Sequence, residues 1–127
     1  MILIDINEIK KKIIKNLRKY FNFCRKYTKD GKKIIKSSEI KVGDLIELNQ
    51  NNRIPADMVV LKSLEENGSL FIRTDQLDGE TDWKLRKAIP ATQKFEFEHL
   101  TEANGYFVID PPSQQIYDFT GKYFIFF

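Results

Sequence analysis

The chain has 127 residues, 42% of them hydrophobic, which is enough apolar material for one small core and not for two. Its formal net charge of +3 is too mild to indicate a nucleic-acid partner. The one cysteine, Cys24, excludes an internal disulfide, fits a reducing cytosolic setting and is interpreted as a small apolar filler. No run of 18 or more apolar residues occurs, so no bilayer span is predicted.

Apolar residues recur at helical spacing near the start of the chain, with lysines and arginines between them. They include Ile6, Ile9, Ile13, Leu17 and Cys24. This pattern predicts an amphipathic helix over about residues 5–25, and we divide the chain into a helical lead-in, residues 1–26, and a β-rich domain, residues 27–127. The apolar face can pack on its own domain or a neighbouring molecule, or the basic helix can lie on a membrane surface.

Short β-rich runs separated by turn residues follow the predicted helix. Asp30-Gly31 predicts a hairpin turn. The predicted strands cover residues 33–36, 44–48, 57–62, 70–73, 84–88, 106–109, 116–119 and 123–127. Many short strands without intervening helices favour a mainly-β fold, a distorted jelly roll or small barrel, in which residues 90–104 form a long mobile connection.

The most informative segment contains Asp78, Gly79, Glu80 and Thr81. Gly79 permits backbone conformations closed to other residues and brings no Cβ between the backbone and a ligand. Glu80, held beside it, can orient a water, accept its proton or bind a cation, while Thr81 and Asp78 can fix the loop by bonding its backbone. An ordinary polar hairpin turn is the alternative, because Asp-Gly is a common hairpin signal.

Two motifs precede this loop at domain-sized spacing: Ile-Lys-Val-Gly-Asp-Leu-Ile-Glu-Leu at residues 40–48 and Arg-Ile-Pro-Ala-Asp-Met-Val-Val-Leu at residues 53–61. In this order, the three motifs resemble the actuator domain of P-type ATPases. Residues 77–86 resemble the phospholipid flippases, whose loop carries Asp-Gly-Glu-Thr where most ion pumps carry Thr-Gly-Glu. Residues 73–76 and Trp83 resemble the branch reported to work without an accessory subunit. The resemblance is good over residues 36–93 and fainter over the lead-in and residues 116–121.

The resemblance implies a jelly-roll actuator and a cycle in which ATP phosphorylates an aspartate in another domain. The actuator then brings its loop onto the acyl-phosphate, where Gly79 allows close approach, Glu80 activates water, and Thr81 and Asp78 hold the loop. No metal or cofactor is expected in this chain, whereas ATP and Mg²⁺ are expected in the full-length protein. The implied partners are the phosphorylation domain and transmembrane helices of the same chain and a phospholipid substrate, with no nucleic acid.

The phosphorylation motif Asp-Lys-Thr-Gly-Thr does not occur in the 127 residues. We therefore expect a fragment, cut inside the domain near residues 123–127, that is inactive alone and monomeric or weakly self-associating. The resemblance places it on the cytosolic side of a multispanning protein of a Golgi, endosomal or plasma membrane, with the predicted helix as a stalk.

Two other functions are weighed: a basic β-barrel module that binds nucleic acid, and the actuator of an ion-transporting relative. Asp78 and the Asp82-Trp83-Lys84 run argue against the latter.

Roles are also predicted for six single residues. Asp44 and Asp57 are predicted to be scaffold residues, Trp83 a core or platform residue, Lys84 and Arg86 solvated strand charges or contacts to an acidic partner domain, and His99 a loop residue.

Overall fold

The computed structural model describes the backbone of residues 2–5 and the whole of residues 23–110 and 120–126. This part of the chain contains nine strands: β1 Ile2–Asp5, β2 Cys24–Thr28, β3 Gly31–Ile35, β4 Leu45–Glu47, β5 Met58–Lys62, β6 Ser69–Arg73, β7 Trp83–Lys87, β8 Asn104–Ile109 and β9 Gly121–Phe126. It also contains three short α-helices, α1 Asp75–Asp78, α2 Pro90–Gln93 and α3 Phe97–Glu102, and one 3₁₀ turn, Ser37–Glu39.

The strands form one large antiparallel sheet and two separate hairpins. The large sheet has five strands in the order β3-β2-β4-β1-β5, while β6 pairs with β7 and β8 pairs with β9. The prediction of a mainly-β fold is therefore confirmed, although within the described residues no sheet closes into a barrel.

The predicted strands correspond well to β3 through β9. The run at residues 116–119 lies outside the described residues, and β2 was not predicted. The Asp30-Gly31 turn is confirmed: Thr28 pairs with Gly31 across the β2–β3 hairpin, and Gly31 has a φ of 111°.

The predicted helix over residues 5–25 is wrong at both ends, and residues 6–22 lie outside the described part. Asp5 closes β1, and Arg25 lies in β2 opposite Ile34 on one side and Glu47 on the other. Because β2 has a hydrogen-bonded strand on each edge, sheet pairing overrides the local helical spacing. Residues 2–5 and 24–26 thus share a sheet with later strands, and a helical lead-in between them stays a prediction.

The connection at residues 90–104, which was predicted to be long and mobile, contains the helices α2 and α3. Thr92, which is buried, donates its hydroxyl to the carbonyl of Leu61 at 2.6 Å. The Gln93 amide accepts from Ser63 N at 2.8 Å and donates to Ser63 O at 3.0 Å. These bonds fix the connection to the end of β5. His99 is exposed on α3, so its assignment to a loop is also corrected.

Two apolar clusters make the core on the large sheet. The first contains Cys24, Ile40, Ile46 and Leu48, and the second is built around Tyr27, Leu61 and Leu100. Burial raises the pKa of the Cys24 thiol, which fits its predicted role as an apolar filler. Among the described residues, no helix combines the length and hydrophobicity that a bilayer crossing requires.

Asp44 has the scaffold role predicted for it. It is buried, and its carboxylate accepts from Lys41 N at 3.0 Å and from Lys26 Nζ at 2.6 Å. Gly43, just before it, has a φ of 89°, a conformation that favours glycine.

Candidate functional site

The loop singled out in the sequence joins β6 to β7. Five cross-strand pairs fix this hairpin, from Ser69 opposite Lys87 to Arg73 opposite Trp83. Residues 74–82 connect the two strands, so the loop lies at the end of a hairpin whose register is fixed by these pairs.

The loop begins with one turn of helix and is not a simple two-residue hairpin turn. Helix α1 has Thr74 at its N-cap and ends at Gly79, which has φ 78° and ψ −3°. The Gly79 amide donates to the Asp75 carbonyl at 2.9 Å, which satisfies a carbonyl at the helix end. A Cβ built on Gly79 meets nothing within 4 Å, so the glycine is required by its positive φ and the space before it is open.

Asp78 ties the loop together from within. Its side chain is only 6% exposed. Oδ1 accepts from the Glu80 amide at 2.9 Å, and Oδ2 accepts from Thr74 Oγ1 at 2.8 Å and from Lys84 Nζ at 2.9 Å. Both oxygens of this carboxylate are therefore engaged with groups of the loop and of β7.

Lys84 was predicted to be a solvated strand charge or a contact to a partner domain, and the structure corrects this. Its side chain is 19% exposed, and Nζ lies 2.9 Å from Asp78 Oδ2 and 2.6 Å from Glu80 Oε2. Hydrogen bonds to Glu80 and then to Asp78 raise the pKa of Lys84 above its ordinary value. The sequence offered one signal of this contact, a lysine four residues after Glu80. Whether that lysine reaches Glu80 depends on the register of the hairpin.

Glu80 is the exposed carboxylate of the site. Its side chain is 57% exposed, and Lys84 holds one of its oxygens. We find no bond to the other oxygen, Oε1, in the part of the chain that the structure describes. Thr81 is exposed, and over the same residues its hydroxyl has no hydrogen-bond partner, so the loop-fixing role predicted for it is not seen. The loop can therefore offer one carboxylate oxygen to an atom outside the domain.

Exposed apolar side chains surround the loop. Trp83 is 62% exposed, so it is not a core residue, and the guanidinium carbon of Arg73 lies 5.8 Å from the centroid of its ring. Phe71 and Leu85 form the next pair on the same face of the hairpin and are also exposed, as is Leu77 in α1. Arg86 is exposed on β7 and donates to the carbonyl of Leu85 at 2.9 Å. Among the described residues, no group of three or more His, Cys, Asp and Glu side chains is placed to hold a metal ion.

Comparison with known families identifies the class of protein to which this fold and loop belong. A model of the P-type ATPase actuator domain matches residues 21–88, which is more than half of the chain. The chain therefore belongs to the P-type ATPase actuator domain family.

The similar proteins narrow this further. The chain is 48% identical over 99 residues to "Probable phospholipid-transporting ATPase IIB" of Danio rerio, a match that covers 77% of this chain and 9% of that protein. It is 46% identical over 98 residues to "Probable phospholipid-transporting ATPase tat-5" of Caenorhabditis elegans, covering 76% of this chain and 9% of that protein. It is 49% identical over 88 residues to "Phospholipid-transporting ATPase NEO1" of Saccharomyces cerevisiae, a match that covers 69% of this chain and 8% of that protein.

The chain thus spans about 9% of the length of the curated relatives it matches. These matches support the actuator resemblance and give no support to a nucleic-acid-binding module or an ion-transporting relative.

Proposed function

We propose that this chain is the actuator segment of a phospholipid-transporting P-type ATPase and that its loop promotes hydrolysis of the aspartyl-phosphate intermediate. The observation that carries the proposal is the exposed Glu80 carboxylate beside the positive-φ Gly79, with open space in front of the glycine. Close identity to proteins named as phospholipid-transporting ATPases supports the substrate class.

The residues of the loop suit the hydrolysis of a phosphorylated aspartate. The missing Cβ of Gly79 lets the backbone approach the phosphoryl group. Glu80 Oε1 accepts a proton from a water, whose oxygen bonds to phosphorus as the P–O bond to the aspartate breaks. Phosphate and a free aspartate carboxylate are the products, and the proton stays on Glu80 until solvent removes it. Asp78 holds the Glu80 amide in place throughout.

The other components of the reaction belong to the full-length protein. ATP with Mg²⁺ is assigned to other domains. The phosphorylated aspartate comes from the phosphorylation domain of the same chain, and rotation of the actuator couples hydrolysis to phospholipid movement through the transmembrane helices. This arrangement puts the chain on the cytosolic side of a membrane. The exposed apolar side chains of Leu77 and Trp83 beside the loop fit a surface that docks on another domain.

The test is the steady-state phosphoenzyme level of the full-length protein with Glu80→Gln. Glutamine keeps the size of the side chain but cannot accept the proton of the water, so phosphoenzyme should accumulate under ATP. Glu66→Gln, at an exposed glutamate in the turn before β6, is the matched control and should behave as the parent. A Glu80→Gln protein with the parent's phosphoenzyme level would refute the proposed function.

A further inference from the structure

We propose that Lys84 is a positioning residue that holds the Glu80 carboxylate ready to accept the proton of the attacking water, an inference that rests on the proposed function. Lys84 is the one cation within 4.0 Å of the Glu80 carboxylate among the described residues, and it also binds Asp78. It thereby links the buried carboxylate of the loop to the exposed one.

Lys84 fixes the geometry of the Glu80 carboxylate. An exposed glutamate samples several rotamers, and the reacting oxygen must occupy one position when the phosphoryl group arrives. The 2.6 Å contact from Lys84 Nζ fixes Oε2, while no bond engages Oε1 among the described residues. Lys84 is itself fixed, because its backbone pairs with Ile72 and its ammonium is held by the nearly buried Asp78. The rigid hairpin thus determines where the Glu80 carboxylate lies.

Lys84 also offsets the negative charge of the loop. The segment from residue 75 to residue 82 carries four carboxylates, at Asp75, Asp78, Glu80 and Asp82. A phosphoryl group is also negative, so an uncompensated loop would be repelled as it approached. Arg73 lies 3.4 Å from Asp75, and Lys84 compensates Asp78 and Glu80 together. One ammonium therefore both places the reacting carboxylate and reduces the repulsion.

The experiment is a phosphoenzyme chase in the full-length protein with Lys84→Met. Phosphorylation by ATP should be unchanged, while dephosphorylation should slow by about 10- to 100-fold, since small misplacements of a reacting group cost that order of rate. Lys84→Arg, which keeps the charge and the donors, should recover much of the rate. Lys87→Met is the matched control on the same strand, at an exposed lysine, and should keep the parent rate.

A double-mutant cycle separates positioning from a direct action of Lys84 on the phosphoryl group. If Lys84 works through Glu80, adding Lys84→Met to Glu80→Gln should slow dephosphorylation by less than about 2-fold beyond Glu80→Gln alone. Full additivity of the two changes would overturn the inference.

Other outcomes are equally decisive. If Lys84→Met loses phosphate at the parent rate while Glu80→Gln loses it slowly, the inference is overturned and the proposed function is left intact. A normal chase for Glu80→Gln would remove the proposed function itself. If Lys84→Met does not become phosphorylated, Lys84→Gln, which retains a donor without charge, is measured in its place, and a parent rate there overturns the inference.

Discussion

At the scale of single residues, the backbone of Gly79 and the side chain of Asp78 make the loop what it is. Gly79, with a φ of 78°, allows α1 to end after one turn. The Asp78 carboxylate then accepts a hydrogen bond from the Glu80 amide. Gly43 offers a comparison elsewhere in the chain, because it also has a positive φ, 89°, and an open space where a Cβ would stand. The two glycines differ in what lies beside them, since only Gly79 adjoins an exposed carboxylate held by a lysine.

Gly79→Leu should leave the domain folded and abolish turnover of the full-length protein. The cost to the fold should be about 1–2 kcal/mol in the free energy of unfolding, from the positive φ alone. The cost to function should be much larger, because the leucine side chain stands between the backbone and the phosphoryl group. Denaturant unfolding of the chain and lipid-stimulated ATP hydrolysis by the full-length protein measure the two effects.

Gly43→Leu is the matched control, with the same backbone strain far from the loop in sequence. It should destabilise the fold to a similar extent and leave the rate of dephosphorylation near that of the parent. Normal turnover in Gly79→Leu would show that the loop does not approach the phosphoryl group.

The residues of the site were predictable to different degrees. Gly79 and Glu80 could be identified from residue type alone, because a glycine in a turn permits unusual backbone conformations and a glutamate beside it supplies a carboxylate. Lys84 did not, because its contacts with Asp78 and Glu80 follow from the pairing of Lys84 with Ile72, a register that local sequence does not fix. Trp83 was predicted to be a core or platform residue, and its position on the exposed face of a two-stranded hairpin excludes the core.

At the scale of elements, one carboxylate joins three neighbouring strands of the large sheet. Glu47 in β4 lies 3.1 Å from the Arg25 guanidinium on β2 and 2.9 Å from the Lys32 ammonium on β3. Its side chain is 14% exposed, and burial alone would raise its pKa. The neighbouring Lys32 ammonium, Tyr27 hydroxyl and Arg25 guanidinium outweigh this effect, so the pKa of Glu47 lies below its ordinary value of 4.5.

Glu47 should therefore make the fold less stable in acid. Because the folded pKa is the lower one, the stabilisation is fully present above about pH 4.5 and is lost as the pH falls through the folded pKa. Glu47→Gln removes the charge, so the difference in free energy of unfolding between parent and variant should be largest near neutral pH and shrink in acid.

Urea unfolding at several pH values checks this prediction, with Glu102→Gln, an exposed glutamate at the end of α3, as the control. A parent–variant difference that stays constant from pH 7 down to pH 2 would contradict the prediction.

Two of the elements that sequence reasoning missed, the helices α2 and α3, share a physical cause. Helices α2 and α3 have four and six residues, too short for a helical period to appear in the sequence. They are held by contacts distant along the chain, as when Gln93 bonds both backbone groups of Ser63. The strands, by contrast, carry β-branched and aromatic runs bounded by glycine, proline and asparagine, and those local signals were enough to place β3 through β9.

At the scale of the whole molecule, the chain matches a small part of relatives that are far longer. It matches about 9% of the length of proteins such as the Danio rerio relative, and the Glu80 side chain in its loop is 57% exposed. The proposed reaction needs a second surface that carries the phosphorylated aspartate.

The isolated chain should neither hydrolyse ATP nor bind it with useful affinity, because the proposal assigns the nucleotide pocket and the nucleophilic aspartate to other domains. Titration of the chain with ATP and Mg²⁺, followed by calorimetry or by amide shifts, should show no saturable site at micromolar concentrations. Saturable micromolar binding at a defined set of residues would show that the division of labour proposed here is wrong.

The central claim is that Glu80 accepts the proton of the water that hydrolyses the aspartyl-phosphate. The most direct measurement is a chase of radiolabelled phosphoenzyme in the full-length protein, comparing the parent with Glu80→Gln and with the control Glu66→Gln. Loss of a general base typically lowers a rate by about 10²- to 10⁴-fold, so label should leave Glu80→Gln that much more slowly, while the parent and Glu66→Gln lose label rapidly. Decay of the Glu80→Gln phosphoenzyme at the parent rate would contradict the claim.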